Sequence, residues 1–189
     1  MFFFTRSQNL TKSEQARLLH YARQCIRAKL RGEETVSFEN QSQRFHQVRG
    51  VFVTLLKHDN LRGCIGFTES NHPLYQTVRE VAEAAAFNDP RFPPLKNEEL
   101  VELMIEISIL SPLRSLRSVN RIKLKRHGLM IKLEEAKGLL LPQVAARNNW
   151  DRKSFLEHVC IKAGLEKDAW KEPKAEIMFF DAQVFKESP

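Results

Sequence analysis

The chain has few cysteines and lacks the residue patterns that mark common cofactor and metal sites. Its three cysteines, Cys25, Cys64 and Cys160, lie far apart, with no Cys-x-x-Cys pair and no histidine at zinc-finger spacing. It contains no Gly-Lys-Ser/Thr, Gly-x-Gly-x-x-Gly, Gly-x-Ser-x-Gly or His-Glu-x-x-His sequence. These absences argue against a disulfide scaffold and against common nucleotide, hydrolase and zinc-protease machinery. We therefore predict a reduced protein with no metal site and no cofactor.

Long apolar runs are missing as well. The apolar start, residues 1–4, is followed at once by Arg6 and by no small-residue cleavage site, which predicts neither a signal peptide nor a membrane span. We expect a cytoplasmic protein. The 189 residues fit one domain, and no repeat or composition break marks a linker. A net charge of +7 permits an anionic partner without establishing one.

Apolar periodicity predicts helices interspersed with paired strands. A capping box at residues 11–14 begins the first helix, and Asp151 is placed to cap the last one. Strands that arrive mostly as hairpins favour an α+β fold with an antiparallel sheet. The predicted elements are a helix over residues 12–31, a hairpin over 47–67 that turns at 58–60, a helix from Pro73 to about 88, a strand over 103–110, short strands over 129–133 and 139–141, a helix from 151 to about 164, and a strand over 177–185.

The most informative segment is Leu-Arg-Gly-Cys-Ile-Gly at residues 61–66, on the returning strand of the predicted hairpin. Two glycines around one cysteine predict a bulge or a close approach of the backbone to another element. Cys64 is either a nucleophile or redox thiol whose pKa Arg62 lowers, or a small buried hydrophobe. The two side chains share a face unless a bulge intervenes. Cys25 and Cys160, on predicted helices, are expected in the core.

Other candidate residues lie outside this segment. Glu106, opposite the isoleucine face of its strand, is either a buried acid with a raised pKa or the partner of a buried arginine such as Arg62, and we favour the pairing. Asp89 and Arg91, in a loop with three prolines, either present an anion-binding arginine or cap the preceding helix and cover the sheet. His127 is either a general acid or base or a structural residue.

Residues 111–127 form the most basic segment of the chain. Their alternating charged and apolar residues, 121–125, are typical of an edge strand that avoids pairing with other chains. The same charges are also typical of a nucleic-acid or phosphate surface, but the segment has no aromatic residue for base stacking, and we favour the edge strand. The cations are Arg114, Arg117, Arg121, Lys123, Lys125 and Arg126, and no acid accompanies them.

An ordered set of blocks resembles the AMMECR domain family. The resemblance covers residues 10–186, which we predict to be a single domain behind an N-terminal extension, residues 1–9. One departure is Lys125, where the family commonly has a glycine, and this bears on the local turn. The blocks are Gly-Val-Phe-Val-Thr (50–54), Leu-Arg-Gly-Cys-Ile-Gly (61–66), Ala-Ala-Ala-Phe-Asn-Asp-Pro-Arg-Phe-Pro-Pro-Leu (84–95), Ile-Glu-Ile-Ser (105–108), His-Gly-Leu (127–129), Gly-Leu-Leu-Leu-Pro-Gln-Val (138–144) and Lys-Ala-Gly-Leu (162–165).

The resemblance implies an antiparallel sheet flanked by helices, with both chain ends in a main lobe, a smaller inserted lobe and a cleft between them. It also implies an association with Memo-like and radical-SAM proteins, and no settled activity. At the matching positions we expect Cys64, Glu106 and His127 as catalytic residues. The expected binding residues are Arg62, Gly63, Gly66, Asp89, Arg91, Phe92 and Gln143.

Three functions are compatible with these features, and the sequence leaves open whether the protein is an enzyme. The first is an enzyme component in which Cys64 reacts, acting in concert with Memo-like and radical-SAM proteins. The alternative is a non-catalytic binding module for an anionic ligand, RNA or a nucleotide. The third is a scaffold that docks a protein partner.

Overall fold

The computed structural model describes residues 9–34, 36–39 and 42–188. The chain forms two compact units: the first runs to Leu110 and resumes at Gln183, and the second is Ser111–Ala182. The predicted α+β class, with both chain ends in one unit and a smaller unit inserted, is confirmed. The predicted cleft stays a prediction. Apart from Asn9, the N-terminal extension lies outside the described residues, as does the apolar start of the chain.

The first helix, α1 (Lys12–Arg31), has the predicted bounds because both of its ends are capped. The Thr11 hydroxyl accepts a hydrogen bond from the Glu14 amide at 3.3 Å, and the Glu14 carboxylate accepts one from the Thr11 amide at 2.7 Å. Gly32 ends the helix in the left-handed conformation, with φ 64°. The buried face of the helix is Leu18, Leu19, Tyr21, Ala22, Cys25, Ile26 and Ala28.

The first unit contains the three-stranded antiparallel order β2-β1-β3. The hairpin turns at His58 and Asp59, both with positive φ, as a tight hairpin turn requires. The predicted hairpin, helix and strand are confirmed. Their bounds are β1 (Val51–Lys57), β2 (Asn60–Phe67), α2 (Leu74–Phe87) and β3 (Leu103–Leu110).

The two faces of these strands have different compositions. One face packs on α1 and α2 through apolar side chains such as Val53, Leu55 and Ile105. The register places Thr54 of the central strand opposite Cys64 on one side and Glu106 on the other. Directly opposed residues point to the same face of a sheet, so these three polar side chains form one row on the face away from the apolar core.

The second unit is built around β5, which pairs with β6 and β7, while β4 also pairs with β7. Its helix α4 is capped by the Asp151 side chain, which accepts a hydrogen bond from the Ser154 amide at 2.7 Å. Apolar side chains of α4 and the strands, among them Phe155 and Phe179, form the core. The elements are β4 (Arg114–Ser115), β5 (His127–Leu133), β6 (Ala136–Leu140), α3 (Pro142–Arg147), α4 (Arg152–Lys162) and β7 (Glu176–Lys186), whose end continues into the first unit.

The basic segment does not form the edge strand that we favoured, and that prediction is wrong. Its described structure is the two-residue strand β4, one turn of 3₁₀-helix at Val119–Arg121, and a turn in which Lys125 has φ 67°. Ile122 is fully buried in the core of the unit, and its carbonyl accepts a hydrogen bond from Arg152 at 2.9 Å. The apolar residues that suggested strand alternation therefore belong to a loop, which the burial of Ile122 holds against the core.

One helix, α3, was not predicted from the sequence, although Pro142 at its first turn is a usual start signal. Within the described ranges, every helix is too short or too polar to cross a bilayer.

Candidate functional site

Strand β2 carries a bulge at Arg62. Gly63 lies opposite Leu55 and Leu61 opposite Leu56, so Arg62 is the extra residue. Its guanidinium donates from Nε and Nη2 to the Glu99 carboxylate at 2.8 and 2.9 Å. These bonds lower the pKa of Glu99 to about 2.

The partner that we favoured for Arg62 is corrected by this geometry. The acid that it binds is Glu99, and Glu106 takes no part in that ion pair. A third hydrogen bond joins Arg62 Nη2 to the carbonyl oxygen of Pro93 at 3.0 Å. Because the bulge turns the residue out of the strand alternation, spacing along the sequence pointed to the wrong acid.

The two glycines of the motif allow close approaches of other groups. A Cβ atom on Gly63 would lie 2.1 Å from the carbonyl oxygen of Ala85, in the last turn of α2. A Cβ atom on Gly66 would lie 2.3 Å from the ring of Phe52 on the neighbouring strand. The predicted bulge and close approach are both confirmed, and the approaching element is helix α2.

The main chain of Cys64 is held by the loop that follows α2. Its N–H donates to Oδ2 of Asp89 at 2.8 Å, and its carbonyl accepts from Nη2 of Arg91 at 3.2 Å. Asp89 and Arg91 also bind each other, from Nε to Oδ1 at 2.9 Å and from Nη2 to Oδ2 at 2.6 Å. The ion pair supplies the acceptor and the donor that a neighbouring strand would supply at this edge.

Within this pair, the carboxylate is buried and the guanidinium is half exposed. The side chain of Asp89 is 2% exposed and that of Arg91 is 50% exposed. Hydrogen bonds from Arg91 hold the pKa of Asp89 well below its usual range. The ring of Phe92 lies 5.5 Å from the guanidinium carbon of Arg91 and 6.0 Å from that of Arg62. The loop therefore presents an arginine that its own carboxylate holds in place.

The thiol of Cys64 is neutral in this environment. Thr54 Oγ1 donates to Sγ at 3.3 Å. Burial raises the pKa of the thiol above its ordinary value, and the charges of Asp89 and Glu106 raise it further, while Thr54 and Arg91 act in the opposite direction. The hypothesis of a lowered pKa is therefore wrong for the free protein. Among the three cysteines only Cys64 is partly exposed, and the expected core positions of Cys25 and Cys160 are confirmed.

Glu106 lies on the same row as the thiol, two strands away, with Thr54 on the strand between them. It is 6% exposed, and its register partner on the central strand is Thr54. Its charge is close enough to affect the pKa of Cys64. The row therefore combines a thiol, a hydroxyl and a carboxylate on one sheet face, all supplied by the first unit.

His127 lies in the second unit, within a separate group of charged side chains. It faces Asp181 across the β5–β7 pairing, with Nε2 3.9 Å from Oδ1. Its Nδ1 accepts a hydrogen bond from the Lys123 amide at 3.2 Å, which places the proton of the neutral ring on Nε2. Burial lowers the pKa of His127, with Asp181 acting in the opposite direction. The imidazole is therefore neutral near pH 7, and its catalytic role stays a prediction.

Gln143 also lies in the second unit. It is the second residue of α3 and is half-buried. Its binding role stays a prediction. Within residues 9–34, 36–39 and 42–188, no three His, Cys, Asp or Glu side chains come together as metal ligands.

The sequence did not identify three of the residues that shape these sites, Thr54, Glu99 and Asp181. Counting back through the hairpin turn gives the partner of Cys64 only when the extra residue at Arg62 is known. Glu99 lies in a single turn of 3₁₀-helix, and no sequence pattern around it indicated that it binds Arg62. The signal for Asp181 was an isolated acid within a predicted strand.

Comparisons with known proteins place the chain among proteins of similar length. A sequence model of the AMMECR1 family matches residues 19–185. "Protein MK0488" of Methanopyrus kandleri is 42% identical, over 95% of this chain and 91% of that protein. A protein of Aquifex aeolicus is 38% identical, over 90% and 91%. The crystal structure of uncharacterized protein PH0010 from Pyrococcus horikoshii matches with a TM-score of 0.86 and 36% identity, over 90% of each chain.

Proposed function

The chain belongs to the AMMECR1 family, and we propose that it is an enzyme component whose reactive group is Cys64. In this proposal Arg91 receives an anionic group of the substrate, and Glu106 takes up the proton of the thiol. The observation that supports it best is the row Cys64, Thr54 and Glu106 on one face of the sheet. The Asp89–Arg91 pair holds the main chain of Cys64 in place beside that row.

Because the resting thiol is neutral, a nucleophilic Cys64 requires a proton acceptor nearby. Carboxylates serve as general bases when they lie within reach of the proton. Glu106 shares its row, and Thr54, between the two, already contacts Sγ. Burial of the thiol also keeps it from ionising, and hence from reacting with solvent oxidants, until a substrate arrives.

The anionic group of a substrate is placed by Arg91. Among the residues that the structure describes, its Nη1 has no hydrogen-bond partner, whereas Nε and Nη2 are held by Asp89. Since Nη2 also contacts the carbonyl of Cys64, an anion on the free edge of the guanidinium lies close to the thiol. Phe92 adds an apolar surface at the same position.

We extend the proposal to the partners that the family implies. The protein acts in the cytoplasm, in concert with Memo-like and radical-SAM proteins. Family membership alone supports this part. Co-expression of this protein with Memo-like and radical-SAM proteins, followed by co-purification, tests the association. The activity of each partner measured alone is the reference for any change of activity in the complex.

Alkylation of the native protein by iodoacetamide at increasing pH tests the role of Cys64. Peptide mass spectrometry compares it with the buried thiols of Cys25 and Cys160 in the same sample. We expect Cys64 to react first, with an apparent pKa above the ordinary value of about 8.5. Glu106→Gln should slow alkylation at fixed pH by about two- to tenfold, because it removes the proton acceptor of the thiol. Loss of its negative charge alone would instead lower the thiol pKa and speed the reaction. Arg91→Gln should slow it.

A matched control separates Arg91 from general charge effects. Arg27→Gln removes the same charge from an exposed position on α1. Inorganic phosphate should protect Cys64 from alkylation in the wild-type protein and in the Arg27 variant but not in Arg91→Gln. Reaction of Cys64 no faster than that of the buried thiols before unfolding would rule out the proposal.

The half-exposed guanidinium beside a protonated thiol favours a second candidate, a non-catalytic module that binds an anionic ligand. The two candidates differ in their dependence on Glu106. Phosphate protection that needs Arg91, together with alkylation that Glu106→Gln speeds or leaves unchanged, would support the binding module. Slower alkylation in Glu106→Gln, together with protection that needs Arg91, would support the enzyme component.

A further inference from the structure

A second carboxylate held by arginines lies in the second unit, at the polar end of a sheet face. Asp181 is two residues beyond Phe179 on β7, so the two side chains point to the same face. Phe179 belongs to the core of the unit, whereas Asp181 lies opposite His127. The apolar face of this sheet therefore ends in a charged group.

Two arginines of the basic segment bind the Asp181 carboxylate. Arg114 Nη2 donates to Oδ2 at 2.5 Å, and Arg126 Nε donates to Oδ1 at 2.6 Å. Each side chain remains open to solvent, 48% exposed for Arg114 and 64% for Arg126. Among the described residues these are the only hydrogen bonds of the two side chains, so most of the N–H groups of both guanidinium groups have no protein acceptor.

The position of these guanidinium groups is restrained although they are exposed. The guanidinium carbon of Arg114 lies 4.5 Å from the centre of the Phe179 ring, a cation–π contact. Arg126 is tied at Nε, which leaves both of its Nη groups available. Donors that are already fixed lose little conformational entropy when they bind a ligand.

The charges around this position do not cancel. The charges of Arg126, Arg114 and Lys123 all lower the pKa of His127, so each lies close enough to the imidazole to affect it. Within the part of the chain that the structure describes, Asp181 is the acid that contacts the two arginines. Two guanidinium groups against one carboxylate, next to a neutral imidazole, leave an excess of positive charge at this position.

We propose that Arg114 and Arg126, positioned by Asp181, bind a phosphate group of a small phosphorylated ligand. Two guanidinium edges match the geometry of phosphate oxygens, and the excess positive charge favours an anion. None of the residues of the Cys64 row takes part. The site is therefore additional to the proposed function, and either can fail without the other.

The surroundings favour a phosphate group on a small ligand over a nucleic-acid strand. Single-stranded nucleic acids bind through aromatic side chains on which bases stack. Residues 111–127 contain no aromatic residue, and Phe179 is 8% exposed and in contact with Arg114 and His127. The N–H donors of Arg114 and Arg126 that have no protein acceptor can bind a phosphate group, but they offer no surface on which bases stack.

Isothermal titration of the full-length protein with inorganic pyrophosphate tests the site. We expect saturable binding that Arg126→Gln and Arg114→Gln each weaken by about tenfold. The matched control is Arg117→Gln, which removes the same charge from an exposed position of the same segment. It should change the affinity by less than about twofold. Equal losses in all three variants would mean a diffuse positive field and would overturn the proposal.

Two further variants make the result specific. Arg126→Lys keeps the charge but not the forked donors, and we expect it to lose about threefold or more in affinity. Wild-type affinity in that variant would overturn recognition by the guanidinium. Titration in the Arg91→Gln background removes the anion site proposed at Cys64, and we expect pyrophosphate binding there that still depends on Arg114 and Arg126. Loss of all binding in that background would assign the phosphate to the Cys64 site. Tighter binding of a single-stranded oligonucleotide that depends on Arg117 would replace the proposed ligand by a polynucleotide.

Discussion

Asp89 in the first unit and Asp181 in the second are both held by arginine, but they differ in what else they bind. Asp89 is buried, and its oxygens also accept hydrogen bonds from the backbone amides of Cys64 and Arg91. Asp181 binds two arginines through its side chain and keeps 15% of that side chain exposed. The first carboxylate holds the main chain in place, whereas the second holds side chains that remain open to solvent.

The groups beside the two carboxylates show a shared effect of burial. It raises the pKa of Cys64 and lowers the pKa of His127. Both changes have one cause, because removing a group from water disfavours its charged form, whichever sign that charge has. In each unit the titratable group is therefore neutral near pH 7, and the positive charge beside it belongs to arginine.

The largest difference between the two regions should appear when each carboxylate is removed. Asp89→Ala leaves the Cys64 amide and the guanidinium of Arg91 without their buried acceptor, and we expect a loss of about 3 kcal/mol in the free energy of unfolding. Asp181→Ala breaks more exposed ion pairs and should cost about 1 kcal/mol. Urea unfolding of both variants at pH 7 measures the two values.

The pH dependence of the stability difference between wild type and Asp89→Ala provides a control. The folded pKa of Asp89 is lowered, so its contribution to stability is present above its unfolded pKa of about 4 and declines as the pH falls below that value. The difference between wild type and Asp89→Ala should therefore shrink in acid. Equal costs for the two substitutions would remove the distinction between them.

A glycine substitution in each region should have a somewhat smaller effect. Gly63→Ala brings a methyl group against the backbone oxygen of Ala85, which moves only if α2 moves. Gly128→Ala brings one against the ring of Phe180, at the same distance of 2.1 Å, and a side chain can adjust more readily than a helix. We expect losses of about 2–3 and 1–2 kcal/mol by urea unfolding. A larger loss for Gly128→Ala would show that the buried ring is the more rigid neighbour.

The smallest effect concerns the turns that lead into the two site strands. Asp59 precedes β2 and Lys125 precedes β5 by two residues, with φ of 60° and 67°. Lysine adopts the left-handed conformation at a cost that glycine avoids, whereas aspartate tolerates it. Lys125→Gly should therefore stabilise the protein by up to about 1 kcal/mol in thermal unfolding, and Asp59→Gly should change it by less than about 0.5. Destabilisation by Lys125→Gly would contradict this explanation of the turn.

The elements that the sequence predicted well depend on neighbours along the chain. The capping box of α1 needs only residues 11–14, and the apolar alternation of β3 needs only eight residues. The place of Glu106 on the face opposite the isoleucines also came from that alternation. The basic segment was predicted wrongly because its alternation was the same as that of a strand, while its backbone is set by the burial of Ile122 against distant residues.

By itself, the sequence determined the order of the longer helices and strands, the family and the place of the motif around Cys64, because caps, periodicity and glycine positions act over a few residues. Tertiary structure decided the partners and the charges. Arg62 binds Glu99 through a bulge, and Cys64 keeps its proton because the fold removes it from water. Ion pairing and desolvation depend on which distant residues the fold brings together, and no local pattern encodes that.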